Sequence, residues 1–391
     1  MCTEKIKILS EKYYKKMVKL RHEFHMHPEL AFKEVNTSKI VEEELKKLNI
    51  EVKTNIAKTG VIGLIKGKYP GKTVLLRADM DALPIKEEIN LEYKSKVDGV
   101  MHACGHDGHT AALLGTAMIL NELKDKLKGN VKLIFQPAEE GDGGAKIMIE
   151  EGVLENPKVD AAFACHLWGE VKEGCIKLKN GPIMASSDDF KFKILGKGGH
   201  GATPHLCIDP INIAIQVISN IQIFVNRKIN PLEPVVLSFC SIHGGEGINS
   251  IPDEVEVTGT IRTFDNDTRD FIIKAFEDIL RTVTESQGAK YIFQCESFAP
   301  PVINDYHMTE LVKMSACQIL GKDKVLEAKE PDMGAEDFAF FSNSVPSALF
   351  FVGIMKEKKI IHHNGNFAWN DENLLTACQC LSQIVVNFLN S

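Results

Sequence analysis

Residues 130–144, NVKLIFQPAEEGDGG, hold the reading that decides the fold. The apolar run Val131–Phe135 is short enough for a buried strand, and it stops at Gln136-Pro137. Two carboxylates, Glu139 and Glu140, follow at once, and a Gly-rich turn closes the segment. In open α/β sheets the functional groups collect in the loops at strand ends. Other short β-rich runs fit the same sheet: Val61–Ile65, Thr73–Arg77 and Val159–Ala164. Helical patterns span 4–24, 36–48, Ala111–Leu127 and the stretch near 145–151, with Asn36-Thr37 offering an N-cap to the second. The last third repeats the style with a helix over 308–320, a strand over Ala348–Gly353 and a helix over 371–389. This alternation predicts an α/β fold: a mostly parallel sheet with helices on both faces.

The middle of the chain breaks the pattern. From Asp188 the order is strand (190–195), helix (210–225), strand (235–243), strand (254–263), helix (267–287) and strand (291–298). This β-α-β-β-α-β order is a ferredoxin-like unit. Sheet-style segments resume after Pro300-Pro301, so the unit reads as an insertion. The expected division is a main domain over 1–186 and 300–391, with an inserted domain over 187–299.

With 391 residues the chain exceeds one ordinary core. Its composition, 44% hydrophobic and 25% charged, is that of a folded globular protein. A formal net charge of -7 and no basic stripe argue against nucleic acid as a partner. No apolar run reaches the length of about 18 residues that a membrane span needs, and the N-terminal stretch is too charged for a signal peptide. The ten cysteines form no C-x-x-C pairs, so they read as buried thiols in a reducing compartment, the cytoplasm.

Against this background, four separated segments end in metal-binding residue types. In MHACGHDGHTAALLG, Cys104 and His106 stand two apart in a Gly-containing loop before a helix. Thiolate and imidazole both suit zinc and its neighbours. Alone, such a pair is more often a buried cysteine and a capping histidine. Here His102, Asp107 and His109 crowd the loop, and one of them could orient a ligating imidazole. In Glu139-Glu140, adjacent residues of extended backbone would point opposite ways, one to a metal and one to substrate. His166 ends an apolar run, and His362-His363 precede NGNFAWNDE. Asp79 and Asp81 in VLLRADMDALP share one strand face, although a turn beside Pro84 would also explain them. Each signal is weak alone; their conjunction at strand ends is the inventory of a metal-dependent hydrolase.

RADMDALP, HACGHDGHTA, QPAEEG, CHLW, GGHGATPH, IPDEVEVTGTIRTFD and GAEDFAFF together resemble the metal-dependent aminoacylase/carboxypeptidase amidohydrolases. That family includes hippurate hydrolase, indole-acetyl-amino-acid hydrolases and N-acyl-amino-acid deacylases. The similarity runs from about Arg21 to about Phe388. The resemblance implies a catalytic domain holding two divalent ions per subunit (Zn, Mn, Co or Ni), an inserted lid, and hydrolysis of an N-acyl-amino acid. It makes Cys104, His106, Glu140, His166 and His363 metal ligands, Glu139 the general base and Asp81 a supporting carboxylate. His200 would come from the lid to stabilise the transition state, and Asn249 and Arg262 would bind substrate carbonyl or carboxylate groups. Gly334, Glu336 and Asp337 would line the pocket. It also implies a homodimer or homotetramer in which His200 reaches a neighbouring subunit's site.

Three segments depart from the family pattern: Gly365 stands where Pro is usual, Cys207 where Gly is common, and GGEGINSIP carries Glu246 and Ile248 where smaller or aromatic residues are typical. The first suggests a looser loop around His363; the last leaves acyl preference open. A dipeptidase or carboxypeptidase using the same metals is the rival enzyme reading. A non-catalytic binding protein on the same fold is the rival outside enzymes, although it would be expected to lose Glu139 or a ligand first.

Overall fold

The computed structural model describes residues 2–141 and 143–391. It divides into two compact units. The larger comprises Met1–Ile183, Ile303–Pro331 and Asp337–Ser391; the smaller comprises Met184–Val302 and Asp332–Glu336. The piece 332–336 groups with the smaller unit because the Ala185 N–H donates to the carbonyls of Asp332 and Gly334 (3.1 and 2.9 Å).

The larger unit begins with α1 (Cys2–Met26), α2 (Val35–Lys47), β1 (Glu51–Ile56), β2 (Gly60–Lys66) and β3 (Tyr69–Asp79). It continues through α3 (His106–Leu123), β4 (Lys128–Gln136), α4 (Gly144–Glu150), β5 (Ala161–Lys172) and β6 (Ile176–Leu178). A short strand, β7 (Gly181–Met184), leads out of it. The smaller unit contains β8 (Ser187–Leu195), β9 (Gly199–His200), α5 (Pro210–Lys228), β10 (Val236–His243), β11 (Ser250–Ile251), β12 (Glu254–Arg262), α6 (Asn266–Ser286) and β13 (Lys290–Ala299). The chain returns through β14 (Val302–Asn304), α7 (Tyr306–Leu320), β15 (Val325–Glu327), α8 (Ala339–Ser342), β16 (Ser347–Met355) and α9 (Asn373–Asn390).

The large sheet has the order β1-β2-β4-β3-β5-β16-β6-β15. Its centre, β4-β3-β5-β16, is parallel throughout, as the alternating pattern predicts. Strands buried on both faces read as continuous apolar runs. β16 accordingly has all but its last residue buried. Register fixes what lies together at the carboxyl edge. Asp79 pairs with Gln136, and Arg77 pairs with Ala164, two residues before His166. The ends of β3 and β4 and the middle of β5 therefore share one level.

In the smaller unit the four-stranded sheet has the order β10-β12-β8-β13, antiparallel throughout. This is the ferredoxin-like order that the sequence predicts. Its core joins Phe190, Phe192 and Ile194 of β8 to Val217 and Ile221 of α5 and Phe276 and Leu280 of α6. α5 is capped by Asp209, whose carboxylate accepts from Ile211 and Asn212 N–H, and Pro210 fills the first turn, where its missing N–H costs nothing. β10 is an edge strand.

Two helix starts differ from expectation. α2 begins at Val35, and neither Asn36 nor Thr37 caps it. The Glu29 side chain instead accepts from their two backbone N–H groups (2.9 and 2.8 Å). α3 begins at His106, five residues before the predicted Ala111, because Gly105 takes a left-handed φ of 93° that ends the preceding loop. The metal-binding loop is thus the first turn of a helix.

That turn is held by a buried charge network. α3 is buried along nearly its whole length, so a charge in its first turn must be paired. Asp107 Oδ2 accepts from Arg21 Nε (3.2 Å) and His25 Nδ1 (2.9 Å), both on α1. Arg21 also stacks on the Trp369 ring, 3.5 Å from its centroid, and His25 Nε2 reaches Glu87 Oε1 at 3.3 Å. Burial opposes charge on His25, but the hydrogen bonds to Asp107 and Glu87 prevail and raise its pKa from 6.5 to about 9. A histidine whose pKa is raised on folding stabilises fully below its unfolded value and loses that contribution as pH rises through the folded one. Urea unfolding should therefore show stability falling by about 2–3 kcal/mol between pH 6.5 and 9. His25→Gln should remove its share of that slope.

Candidate metal centre

The carboxyl edge of the parallel strands gathers the candidate ligands of the larger unit. Three sets of donor atoms each lie within 4.8 Å of one another: Cys104, His106 and His166; Cys104, Glu140 and His363; and His106, Glu139 and Glu140. Cys104, His106 and Glu140 each belong to two of these sets. Cys104 Sγ is 3.5 Å from His166 Nε2, and His363 Nε2 is 3.3 Å from Glu140 Oε1. All five proposed ligands converge, together with Glu139.

Both tautomers are set by backbone. His166 Nδ1 donates to the Leu167 carbonyl at 2.7 Å, which leaves Nε2 facing Cys104. His106 Nδ1 donates to the Asp81 carbonyl at 2.9 Å and lies 3.2 Å from Asp81 Oδ1. Its Nε2 is buried and makes no hydrogen bond among the described residues, and Glu140 Oε1 likewise makes none, although the ring nitrogens of His363 and His106 stand 3.3 and 3.8 Å from it. A buried acceptor without a partner is costly. Two of them 3.8 Å apart fit a cation between them. Burial disfavours charge on His166, and neighbouring imidazoles add to this, so its pKa lies well below 6.5, as a ligating ring requires. For His106 burial also disfavours charge, but Asp79 and Asp81 outweigh it and raise the pKa to about 10, so a cation taken up at Nε2 must displace a proton from it.

Glu139 and Glu140 do not point opposite ways as extended backbone would require. Ala138 has a positive φ of 54°, so the chain turns just before the pair. Glu139 Oε2 and Glu140 Oε1 stand 3.9 and 3.8 Å from His106 Nε2. Glu139 is buried and Glu140 half-buried. Asp81 ties this turn to His106: its Oδ2 accepts the Glu140 N–H at 2.9 Å. Asp81 thus supports both the ring and the carboxylate pair.

The loop around His363 is held despite Gly365. His363 itself has a φ of 55°, and its N–H donates to the Ala103 carbonyl at 2.9 Å. Gly365 accepts from Glu88 N–H at 2.8 Å, and a Cβ there would meet the Lys86 carbonyl at 2.5 Å. The Asn366 side chain donates to Glu88 Oε2 at 2.8 Å. Close backbone approach is the reason for glycine at this position. His363 nonetheless remains half-exposed, unlike the other ligands.

The motif reading missed the roles of Arg77 and Gln136 beneath the site. Arg77, buried in β3, donates to Gln136 Oε1 (2.8 Å), Asp79 Oδ2 (2.6 Å) and Asp337 Oδ1 (2.7 Å). Gln136 Nε2 and the Ala145 N–H also donate to Asp337. Asp79 Oδ1 in turn accepts from His109 Nδ1 at 2.6 Å, and His109 Nε2 accepts the Leu167 N–H at 2.9 Å. His109 therefore orients β5 beside His166. The signal was a lone arginine inside the apolar run VLLRAD, since a buried charge demands partners.

The remaining residues lie on the smaller unit. His200 is exposed on β9, paired opposite Ser250 of β11. Its Nδ1 accepts the Ala202 N–H at 3.1 Å, which places the proton of the neutral ring on Nε2. Asn249 is exposed, and its carbonyl accepts the Gly201 N–H at 2.8 Å. Arg262 is engaged locally, donating to Thr260 Oγ1 (2.6 Å) and the Ile261 carbonyl (3.2 Å). Glu336 is buried in the 332–336 segment.

Comparison with known proteins agrees with this geometry. The model of peptidase family M20/M25/M40 matches residues 75–387. A Saccharolobus solfataricus protein named thermostable carboxypeptidase 1 is 42% identical over 385 residues, covering 96% of this chain and 95% of its own. The N-acyl-L-amino acid amidohydrolase of Geobacillus stearothermophilus is 45% identical over 305 residues, covering 78% and 82%. Among solved structures, the Bacillus subtilis YXEP protein, titled a dinuclear metal binding peptidase from the M20 family, superposes with a TM-score of 0.84 at 36% identity, covering 97% and 99%. The chain, a hydrolase acting on amide bonds, belongs to peptidase family M20/M25/M40.

Proposed function

We propose that the protein hydrolyses the amide bond of N-acyl-amino acids, releasing a carboxylate and a free amino acid. The observation that carries this reading is the placement of Glu139, a buried carboxylate, beside His106 Nε2 and within the group of five candidate ligands. Cys104, His106, His166, Glu140 and His363 would hold two divalent ions, of Zn, Mn, Co or Ni. When bound, such ions supply Lewis acidity to the amide carbonyl and to a water. Glu139 takes the water's proton and returns it to the leaving amine, the two-way role of a general acid/base. His200, with its proton on Nε2, is suited to donate to the oxyanion. Arg262 and Asn249 would meet the substrate's polar groups, with the smaller unit acting as a lid.

The carboxypeptidase reading is favoured by the name of the Saccharolobus solfataricus relative. A panel of N-acetyl- and N-benzoyl-amino acids, including N-benzoylglycine, run beside N-blocked dipeptides with each added metal, separates the two. Turnover of the acyl-amino acids is expected to dominate. All ten cysteines are thiols, four of them buried, which suits a reducing cytoplasm. No helix among the described residues is long and apolar enough to cross a membrane.

Cys104→Ser and His166→Ala should lower bound metal and activity together, as read by metal analysis of the purified variants. Full occupancy in both would remove these residues from the ligand set.

Glu139→Gln should keep its metal while kcat falls by about 10²–10⁴. Glu140→Gln should lose metal. Opposite behaviour would exchange the roles of the two.

An edge strand with apolar residues invites pairing with a second chain. Val236, Leu237 and Phe239 of the edge strand β10 are half-buried apolar residues. We therefore expect a homodimer or a larger assembly in which His200 serves the partner's site. Glu139→Ala and His200→Ala proteins, each inactive, should recover part of the activity after dissociation and mixing. No recovery despite proven subunit exchange would place His200 in its own chain's site or outside the chemistry.

A further inference from the structure

Glu34 precedes α2, far in sequence from every proposed ligand, and is fully buried. Its carboxylate serves three turns at once. Oε1 accepts from the N–H groups of Phe32 (3.0 Å) and Ala138 (2.9 Å), and Oε2 accepts from the Thr59 hydroxyl (2.6 Å). Burial raises the pKa of this carboxyl to about 7 against the pull of those donors. Such a desolvated carboxylate is retained only where its acceptors are needed.

The contact that matters is Ala138. Its left-handed φ costs a non-glycine residue of order 1 kcal/mol and persists only where surroundings enforce it. Here both backbone groups are held: the N–H by Glu34, and the carbonyl by the Gly144 N–H at 3.1 Å. The turn so fixed is the one that brings Glu139 and Glu140 to the same side of His106. We infer that Glu34 is a positioning residue: by holding the Ala138 N–H it sets the aim of the general base and of its neighbouring ligand. This inference rests on the roles given above to Glu139 and Glu140.

A merely structural role, stapling the entry of α2 to Thr59, makes different predictions. Glu34→Gln keeps an oxygen for Phe32 and Ala138 and can donate to the Thr59 hydroxyl. Thr59→Val removes the Oε2 contact and leaves Ala138 untouched. Glu34→Ala removes everything, and Glu34→Asp, one methylene shorter, stands in if the alanine variant does not fold. The full-length variants are to be compared for bound Zn²⁺ or Mn²⁺ per subunit, melting temperature, and kcat and KM on the acyl-amino acid selected by the panel.

The expected result is a fall in kcat of at least about tenfold for Glu34→Ala or Glu34→Asp, with KM within about threefold and reduced metal content. Glu34→Gln should stay within about threefold of the parent in kcat. Thr59→Val should melt lower yet keep its kcat. Adding Ala138→Gly to Glu34→Ala should restore part of kcat, because glycine takes the left-handed turn without the anchor. The inference is overturned if Glu34→Ala or Glu34→Asp keeps parental kcat and metal, or if Thr59→Val loses kcat to the same degree as Glu34→Ala. Running Glu139→Gln alongside separates the two readings. If that variant is fully active the base assignment fails, while metal content still tests Glu34 through Glu140.

Discussion

The site depends on the requirement that Asp79, with no exposed surface, have both oxygens satisfied. One oxygen takes Arg77 and the other takes His109. Each partner passes the constraint on. Arg77 recruits Gln136 at the end of β4 and Asp337 from the returning chain. His109 is thereby left with Nε2 as an acceptor, and it grips the backbone next to His166. Desolvation and the attraction of His106, Arg77 and His109 contend at Asp79, and the attraction wins, holding its pKa well below the usual carboxylate range. Three parallel strands are thus fixed at one level by a single buried anion. Around them the imidazoles of His106 and His166 face inward because their other nitrogens are committed to backbone carbonyls.

Much of this was legible in the chain itself. Apolar runs that stop at Asp79, Gln136 and His166 mark a parallel sheet and its working edge, because only strands covered on both faces read that way. The middle segment's order of elements was equally plain, since amphipathic helices such as α6 carry one apolar stripe. The five candidate ligands, although scattered over about two-thirds of the sequence, were recognisable by residue type and by motif.

What could not be read depends on backbone turns and tertiary partners. The left-handed Ala138 reverses the expected divergence of Glu139 and Glu140, and nothing in QPAEEG shows it. Glu29 satisfies the start of α2 in place of Asn36 and Thr37, a substitution set by the path of the loop. Gly365, which suggested slack around His363, instead permits close packing on Lys86. In each case spacing gave the residue, and distant chain gave its role.

The order of assembly follows from the topology. β16 lies between β5 and β6 in the large sheet, and α9 packs with α1 and α3 in the same core. Both come from the returning segment, so the contacts closing this core span most of the chain. Such non-local pairing is slow, because loop-closure entropy is lost before contacts repay it. The smaller unit has all four strands of its main sheet and both α-helices within Met184–Val302 and is complete before β16 emerges from a ribosome. During synthesis β5 therefore waits with an unpaired, apolar flank. That interval, rather than the finished fold, is when this chain presents an unpaired apolar strand edge to its surroundings.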